Sequence, residues 1–417
     1  MLRNYLLTAY KVFMRRKLFT AINLACIVLT LVVLMVISAL LDTAFWPTGV
    51  EGRSDRLLQV YGMRSERVND KGLPTGLRTG LLGYKTISRY LMPLQSVERV
   101  SAITTTSEVS VYQGDRVSRL DMRRVDANYW KIMQFRLLGG RLPDEDDDRL
   151  GRMVAVINAT SARHLFPGAA AVGQRISVDG QAFEIIGVVP DVIHINAYAD
   201  IWAPLATFPS SNYRDEYTGT FAALLLARSP ADLPRVRADV ERAAKTIQPV
   251  GEQIFGKTTF WADTKLDVVA RALQGRESYV DSGGSQLLLM IAGGMLVFML
   301  LPALNLVNLN MGRIMERSAE IGVRKAFGAT SLQLAGQLVV ENVLLCLAGG
   351  LLGLACARVV LWWLEASQLI PYLEVHINPT VFGCGMLLAF VFGLLSGAIP
   401  AWKMSRLDPV HALKGAA

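Results

Sequence analysis

Four cysteines in 417 residues are too few for a disulfide scaffold. Cys26, Cys346, Cys356 and Cys384 all fall in long apolar stretches, and no pair stands at metal-ligand spacing with a histidine nearby. They read as small packing residues. Their absence from residues 42–285 fits an oxidising compartment in which no disulfide is needed. Histidine is equally sparse. His164, His194, His376 and His411 are scattered, with no metal motif, nucleophile elbow or acid–base pair in a motif, so catalysis has little support. No Gly-x-x-x-x-Gly-Lys-Ser/Thr phosphate loop occurs, and no ATPase is expected in this chain. Charge is also scarce: 19% of residues are charged and 52% apolar, whereas soluble domains are about a quarter charged. With a mean hydropathy of +0.33, the composition points to a membrane protein.

The apolar excess is uneven. Residues 42–285 carry 30 Lys/Arg and 29 Asp/Glu, the balance of a soluble domain. The remainder carries 13 and 6, so nearly all of the formal +8 lies beside apolar stretches. Basicity of that kind does not make a nucleic-acid-binding face. Four stretches are long enough to cross a bilayer as helices, which takes about 20 apolar residues. They are Ala21–Leu41, a segment within 286–311, Gly336–Leu364 and Val381–Trp402. The first is too long for an ordinary secretion-signal core and is followed by three more, so cleavage is not expected.

Lys and Arg near the span ends set the orientation. Arg3, Lys11, Arg15, Arg16 and Lys17 precede the first span. Arg313, Arg317, Arg324 and Lys325 lie between the second and third. Lys403, Arg406 and Lys414 follow the fourth, and the loop between spans three and four has none. Both termini and the 310–331 loop are therefore expected in the cytoplasm, with 42–285 and 365–380 outside.

The outer segment reads as mixed α and β. Strand-like runs are Arg56–Tyr61, Glu108–Tyr112, Met153–Ile157, Arg175–Val178 and Ala182–Val189, with Asp179-Gly180 as a hairpin signal. Helix-like segments are Thr160–Phe166 and Leu233–Ile247, the latter with Asp232 as a possible cap. The run Asp144-Glu145-Asp146-Asp147-Asp148 lacks the spaced ligands of a calcium loop and reads as a solvated turn.

Within this segment Asp126-Ala127-Asn128-Tyr129-Trp130, Leu138-Gly139-Gly140-Arg141, Val154-Ala155-Val156-Ile157-Asn158, Leu165-Phe166-Pro167-Gly168, Val172-Gly173-Gln174 and Ile186-Gly187-Val188-Val189-Pro190-Asp191 follow one another in order. The ordered string resembles the periplasmic core domain of MacB-type ABC transporter subunits. In that family a porter-like α/β part, built from both ends of the segment, receives a mostly β insertion, the sabre; the resemblance places it near 115–215. A second resemblance lies between spans two and three. Met315-Glu316-Arg317-Ser318-Ala319-Glu320-Ile321-Gly322-Val323-Arg324-Lys325-Ala326-Phe327-Gly328-Ala329 is similar to the signature of FtsX-like permeases. Pro400-Ala401-Trp402 and Leu407-Asp408-Pro409 fit the same family, as do Asn4-Tyr5 and Arg15-Arg16-Lys17.

The pieces also have a direct physical reading. Leu2, Leu6, Ala9 and Phe13 recur at helical spacing, so residues 1–18 make a basic amphipathic helix suited to anionic lipid. Residues 312–327 form a second short helix, with Gly328 as its stop and Ser331 as a cap for the next. By spacing alone it is either a plain connection or a helix that receives force from a soluble partner. Glu341 and Arg358 fall inside span three and read as residues near its two ends, the latter beside Trp362 and Trp363. Gly349 and Gly353 permit close helix packing, and Pro302 a kink.

The expected fold is membrane α-helical plus an extracytoplasmic α+β domain with porter-like and sabre-like parts. It comprises a cytoplasmic helix over 1–18, spans over 19–41, 286–309, 332–364 and 381–402, an outer domain over 42–285, a coupling loop over 310–331, a short outer loop over 365–380 and a cytoplasmic tail over 403–417. The resemblance implies a non-catalytic permease subunit in a bacterial inner membrane, coupled to ATP hydrolysis elsewhere. Glu316, Arg317, Glu320, Ile321, Gly322, Arg324, Lys325, Gly328 and Ala329 are the implied docking residues for a separate ABC ATPase, which would bind ATP and Mg. A second permease copy or paralogue is implied as a dimer partner, along with membrane lipids and, for efflux, a periplasmic adaptor and outer-membrane duct. Nucleic acid is not. The implied work is export of a peptide, antibiotic or lipid-like molecule. The alternatives are a lipoprotein-release permease of the LolC/LolE kind and an FtsX-like scaffold controlling a periplasmic partner.

Overall fold

The computed structural model describes residues 17–46, 49–69, 71, 74–113, 116–248, 250, 256–274, 281–316, 323, 327, 330–367 and scattered positions within 379–394. The chain divides into two compact units. One is Ala44–Ser285 with Pro371–Leu373; the other holds the segments before and after it.

The outer unit follows the first long helix, α1 (Lys17–Phe45). In chain order its strands are β1 (Leu57–Val60), β2 (Met63–Val68), β3 (Pro74–Leu82), β4 (Val97–Thr104), β5 (Ser107–Gln113), β6 (Arg116–Val125), β7 (Gly139–Gly140), β8 (Val154–Asn158), β9 (Arg175–Val178), β10 (Gln181–Val189), β11 (Ile201–Pro204), β12 (Thr218–Gly219), β13 (Phe221–Ala227) and β14 (Lys257–Phe260). Its α-helices of five residues or more are α2 (Ala127–Ile132), α3 (Glu145–Arg149), α4 (Ala159–Leu165), α5 (Leu233–Lys245) and α6 (Lys265–Gln274).

β13 is the centre of the first layer. It pairs antiparallel with β1 from Leu57↔Leu226 to Val60↔Ala223, and with β4 from Phe221↔Thr104 to Ala227↔Val97. All seven of its residues are buried. Alternate side chains enter two different cores: Phe221, Ala223 and Leu225 pack with Val236, Val240 and Ala244 of α5, while Ala222, Leu224 and Leu226 face Tyr129, Trp130 and Trp202. A strand covered on both faces needs apolar residues at every position, which is why Phe-Ala-Ala-Leu-Leu-Leu-Ala shows no alternation.

Six strands form the second body. β5 pairs with β6 and β9, β9 with β10, β10 with β8, β8 with β11, and β11 returns to β6. The circuit closes, so this is a small barrel, filled by Val109, Val111, Met122, Ala155, Ile157, Phe183, Ile185 and Ile201 among others. Here too period 2 sorts the side chains. Ala155 and Ile157 of β8 enter the barrel, whereas Val154 and Val156 enter the core shared with the β13 layer. The β9–β10 connection is the expected tight hairpin. Asp179 has φ 46° and Gly180 φ 84°, the two positive-φ positions of a type I′ turn, which Asp-Gly tolerates.

Two readings of local chemistry in this unit need correction. The acidic run is solvated at Asp144, Glu145 and Asp146, as expected, but it is more than a turn: it forms α3, where the side chain of Asp144 and that of Asp147 each accept the other's backbone N–H. Asp147 is wholly buried, paired with Arg141 and Arg152. Asp232 does not cap α5 through its side chain. Instead it accepts from Ser229 N at 3.1 Å and Ser229 Oγ at 2.7 Å, closing the turn ahead of the helix.

In the other unit, α1, α7 (Gly284–Glu316) and α8 (Ser331–Ser367) are long helices. Thr20–Phe45 and Val339–Ser367 are long and apolar enough to cross a membrane, and Gly284–Phe298 is a shorter apolar segment. The cap of α8 is Thr330, not Ser331: Thr330 Oγ1 accepts from Gln333 N at 3.3 Å, and Gln333 Oε1 accepts from Thr330 N at 3.1 Å. α1 and α8 meet at glycine. A Cβ on Gly349 would lie 2.5 Å from Ile27 Cγ2, and one on Gly353 would lie 3.2 Å from Leu31 Cβ. Advancing four residues on both helices preserves the contact, so the two run parallel. Leu345 and Cys346 complete this small core with Ile27 and Leu31. Asn23, Glu341 and Asn342 are buried polar residues, and Glu341 accepts from Gln337 Nε2 at 3.1 Å. Arg358, by contrast, is exposed.

Candidate functional site

The outer unit begins just after α1 and ends where α7 starts, and charged side chains pin both ends. The incoming segment makes one 3-10 turn, Gly49–Glu51. The Glu51 carboxylate is buried completely. Its Oε2 lies 2.6 Å from Lys265 Nζ at the start of α6, and its Oε1 accepts from Asn196 N at 3.1 Å. Val50 O accepts from Gln134 N at 2.8 Å. The outgoing segment is held two residues along from Lys265. Asp267 accepts from Arg237 Nη2 at 2.6 Å, from Thr264 N at 3.0 Å and Thr264 Oγ1 at 2.7 Å, and from Ser282 Oγ, two residues before α7. Burial would raise the Asp267 carboxyl, but the Ser282 and Thr264 hydrogen bonds and Arg237 together hold it below its usual value. Asp263 exchanges two 2.8 Å backbone hydrogen bonds with Gln59 of β1 and pairs with Arg271; its burial outweighs that pairing and raises it.

Asn196 belongs to the connection between β10 and β11. Its Oδ1 accepts from Tyr61 OH at 3.0 Å, and its carbonyl accepts from Arg123 Nη1 at 3.0 Å and Tyr129 OH at 3.2 Å. Arg123 Nη2 also reaches Ile195 O at 3.2 Å. Burial raises the Tyr61 and Tyr129 hydroxyls, with Arg123 opposing in both cases, so both are neutral donors. Deeper in the same body, Asp126 caps α2. It accepts from Ser101 Oγ at 2.7 Å, Ala102 N at 2.8 Å and Tyr129 N at 3.0 Å, yet burial pushes it up to about 6. Asp147 moves the other way, to about 2, because Arg141 hydrogen-bonds it against a smaller burial penalty, with help from the Asp144 N–H and Arg152.

Both chain ends of the outer unit are thus tied to one short helix, α6, and the incoming end also to the connection between β10 and β11. Among the described residues no group of three or more His, Cys, Asp or Glu side chains is close enough to hold a metal ion. Of the expected docking residues, Glu316 is the last residue of α7. Arg317, Glu320, Ile321, Gly322, Arg324, Lys325, Gly328 and Ala329 lie outside the described residues. Two neighbours are described: Val323 and Phe327 are exposed, and Phe327 N donates to Val323 O at 3.1 Å. Sequence reasoning did not single out Glu51, Lys265, Arg123 or Asn196. In the sequence each is one polar residue among many, with no spacing or neighbour that sets it apart.

Residues 20–243 match the profile of the MacB-like periplasmic core domain, and residues 292–409 match that of the FtsX-like permease C-terminal region. The uncharacterized ABC transporter permease YknZ of Bacillus subtilis is 25% identical over 326 residues, covering 78% of this chain and 77% of that one. The macrolide export ATP-binding/permease protein MacB of Chromobacterium violaceum is 25% identical over 309 residues, covering 72% of this chain and 45% of its own length. This chain thus spans under half of the MacB protein that it matches. Among solved structures, the extracellular domain of YknZ aligns with 48% of this chain and 98% of its own, at 14% identity and a TM-score of 0.37. The periplasmic region of MacB from Actinobacillus actinomycetemcomitans aligns with 52% of this chain and 94% of its own, at 14% identity and a TM-score of 0.36.

Proposed function

The chain belongs to the MacB-like, FtsX-like ABC transporter permeases, and from that membership we propose that it is a mechanical subunit, driven by an ATPase on a separate chain and working on the far side of the membrane. The observation that carries the reading is the order of its parts. A core-domain match precedes an FtsX-like match, and the segment most like the FtsX signature lies between the long helices α7 and α8. In this reading four spans cross the inner membrane, both termini are cytoplasmic and 42–285 is periplasmic. The parallel run of α1 and α8 supports that topology, since the first and third spans of such a chain point the same way. The barrel is the sabre-like part, and the β13 layer with α5 is the porter-like part.

Four spans per chain are few for a conduit, so two permease chains pair. ATP binding draws the two ATPases together, the 310–331 segments move with them, and α1 and α7 carry the displacement to the outer domain. Glu316, Arg317, Glu320, Ile321, Gly322, Arg324, Lys325, Gly328 and Ala329 make the docking face. Exposed Val323 and Phe327, one helical turn apart, add apolar contact that supports it. The cargo class is a peptide, antibiotic or lipid-like molecule exported from the membrane or periplasm. Glu320→Arg and Gly328→Trp are expected to abolish transport-coupled ATP hydrolysis while the outer domain stays folded. Normal transport and normal ATPase association in both variants would refute the reading.

A further inference from the structure

We propose that Glu51 is a positioning residue that seats the barrel on the two chain ends of the outer domain, so that a shift of α1 against α7 reaches the barrel through its carboxylate. The proposal rests on the mechanical reading above.

Three observations support it. First, the place of Glu51 in the chain: it stands six residues beyond the end of α1 at Phe45, so it is the first buried charge that a displacement of that helix meets in the outer unit. Second, its two oxygens face different bodies. Oε2 pairs with Lys265, whose helix α6 also holds Ser282 through Asp267, and Oε1 takes the N–H of Asn196 from the barrel connection. Third, Asn196 is not a loose end. Tyr61, Tyr129 and Arg123 grip its side-chain and backbone oxygens, so moving its N–H moves the connection that leads into β11.

The charges make the seat selective. Glu51, Lys265 and Arg123 are all buried, and Arg123 is met by the carbonyl oxygens of Ile195 and Asn196. A buried carboxylate between a cation and an N–H tolerates little change in geometry, because no water is at hand to replace a lost partner. Small relative motion of the two chain ends therefore favours a new seat over a stretched one.

The test uses the full chain in nanodiscs with the ATPase that co-purifies with it. Cys26, Cys346, Cys356 and Cys384 are replaced by serine, and spin labels are placed at the exposed positions Glu108 on the barrel and Arg242 on α5. Label-to-label distances are read by electron–electron double resonance with and without ATP and vanadate. In E51Q/K265M the ion pair is gone, but the side-chain amide oxygen at position 51 still accepts from Asn196 N. This variant is expected to fold and to lose most of the nucleotide-dependent shift, whereas K265R, which keeps the pair, retains it. A full shift in E51Q/K265M at an unchanged melting temperature would overturn the proposal and leave the mechanical reading standing. No shift in the parent chain would overturn that reading instead. A nucleotide-free measurement then judges the seat alone. In Tyr61→Phe and E51Q/K265M, hydrogen exchange at residues 194–196 should quicken about tenfold or more, while β5 and β6 keep their protection. Unchanged exchange at 194–196 would overturn the seat as well.

Discussion

In the outer unit Trp202, Leu224 and Phe183 are covered by protein on every side, and strands alternate their residues among three cores. Among the described residues of the membrane unit, α1 and α8 meet at residues with no side chain, Gly349 and Gly353, and the packed apolar cluster there is Ile27, Leu31, Leu345 and Cys346. The difference reflects the solvent. In water, burying a large side chain drives folding. In lipid the surroundings are as apolar as leucine, so close backbone approach and shape hold helices together. The buried polar residues do not divide in this way. In the outer unit Glu51 is paired with Lys265 and Asp147 with Arg141 and Arg152, but Asp126 and Arg123 are met by neutral groups, as buried Glu341 of α8 is by the amide of Gln337.

The sharpest test of this contrast compares two truncations. Trp202→Ala should destabilise the outer unit by about 3–5 kcal/mol, seen as rapid proteolysis of outer-domain fragments in nanodiscs. Leu31→Ala should cost about 1 kcal/mol or less, because lipid around separated helices solvates a leucine as well as the packed site does, so no transfer free energy is lost. An equal penalty at both sites would break the comparison. A smaller effect, of about 1–3 kcal/mol, is expected when a side chain is added at the close approach. Gly349→Leu should separate α1 from α8, lowering cross-linking between cysteines placed on their facing sides, while Gly80→Leu in the outer unit serves as a control at an open site of ordinary backbone conformation.

The next effect depends on pH. The folded carboxyl of Asp126 is raised to about 6 from 3.8, so its contribution is complete below pH 3.8 and is lost as pH rises through 6. Asp148, Asp200 and Asp263, also raised by burial, act in the same direction. Asp147 is lowered to about 2, so the stability from its arginines is present above pH 3.8 and is lost as pH falls through 2. Between pH 7 and 5 the outer unit should therefore gain stability, and Asp126→Asn should reduce that gain by about 1–2 kcal/mol. Asp147→Asn should leave the slope between pH 7 and 5 unchanged and flatten the loss below pH 4. The smallest effect concerns a turn. Asp232→Ala should cost about 0.5–1 kcal/mol through its bonds to Ser229, and the melting temperature should fall by a similar amount in Ser229→Ala if those bonds are the cause.

Much of this architecture could be read from residues alone. The strands at β5, β8, β9 and β10, and the Asp179-Gly180 hairpin, followed from alternation and turn chemistry, which are local. The helices α4 and α5 followed from helical spacing. β13 was not legible, because an unbroken apolar heptapeptide has no period to read. Nor was β4, whose inner residues are buried at nearly every position. The role of Asp147 was hidden for another reason: an acidic run looks the same in sequence whether arginines from either side fold over it or not.

The sequence by itself determined that long uncharged stretches flank a balanced segment, where turns and short helices begin, and to which family the chain belongs, because those properties are carried by neighbours along the chain. Only the tertiary structure decided that six strands close into a barrel, that one core is shared by barrel and sheet, and that Glu51 faces Lys265 and Asn196. Those partners are separated from it by 145 residues or more, and no local rule specifies which distant charge a buried carboxylate will meet.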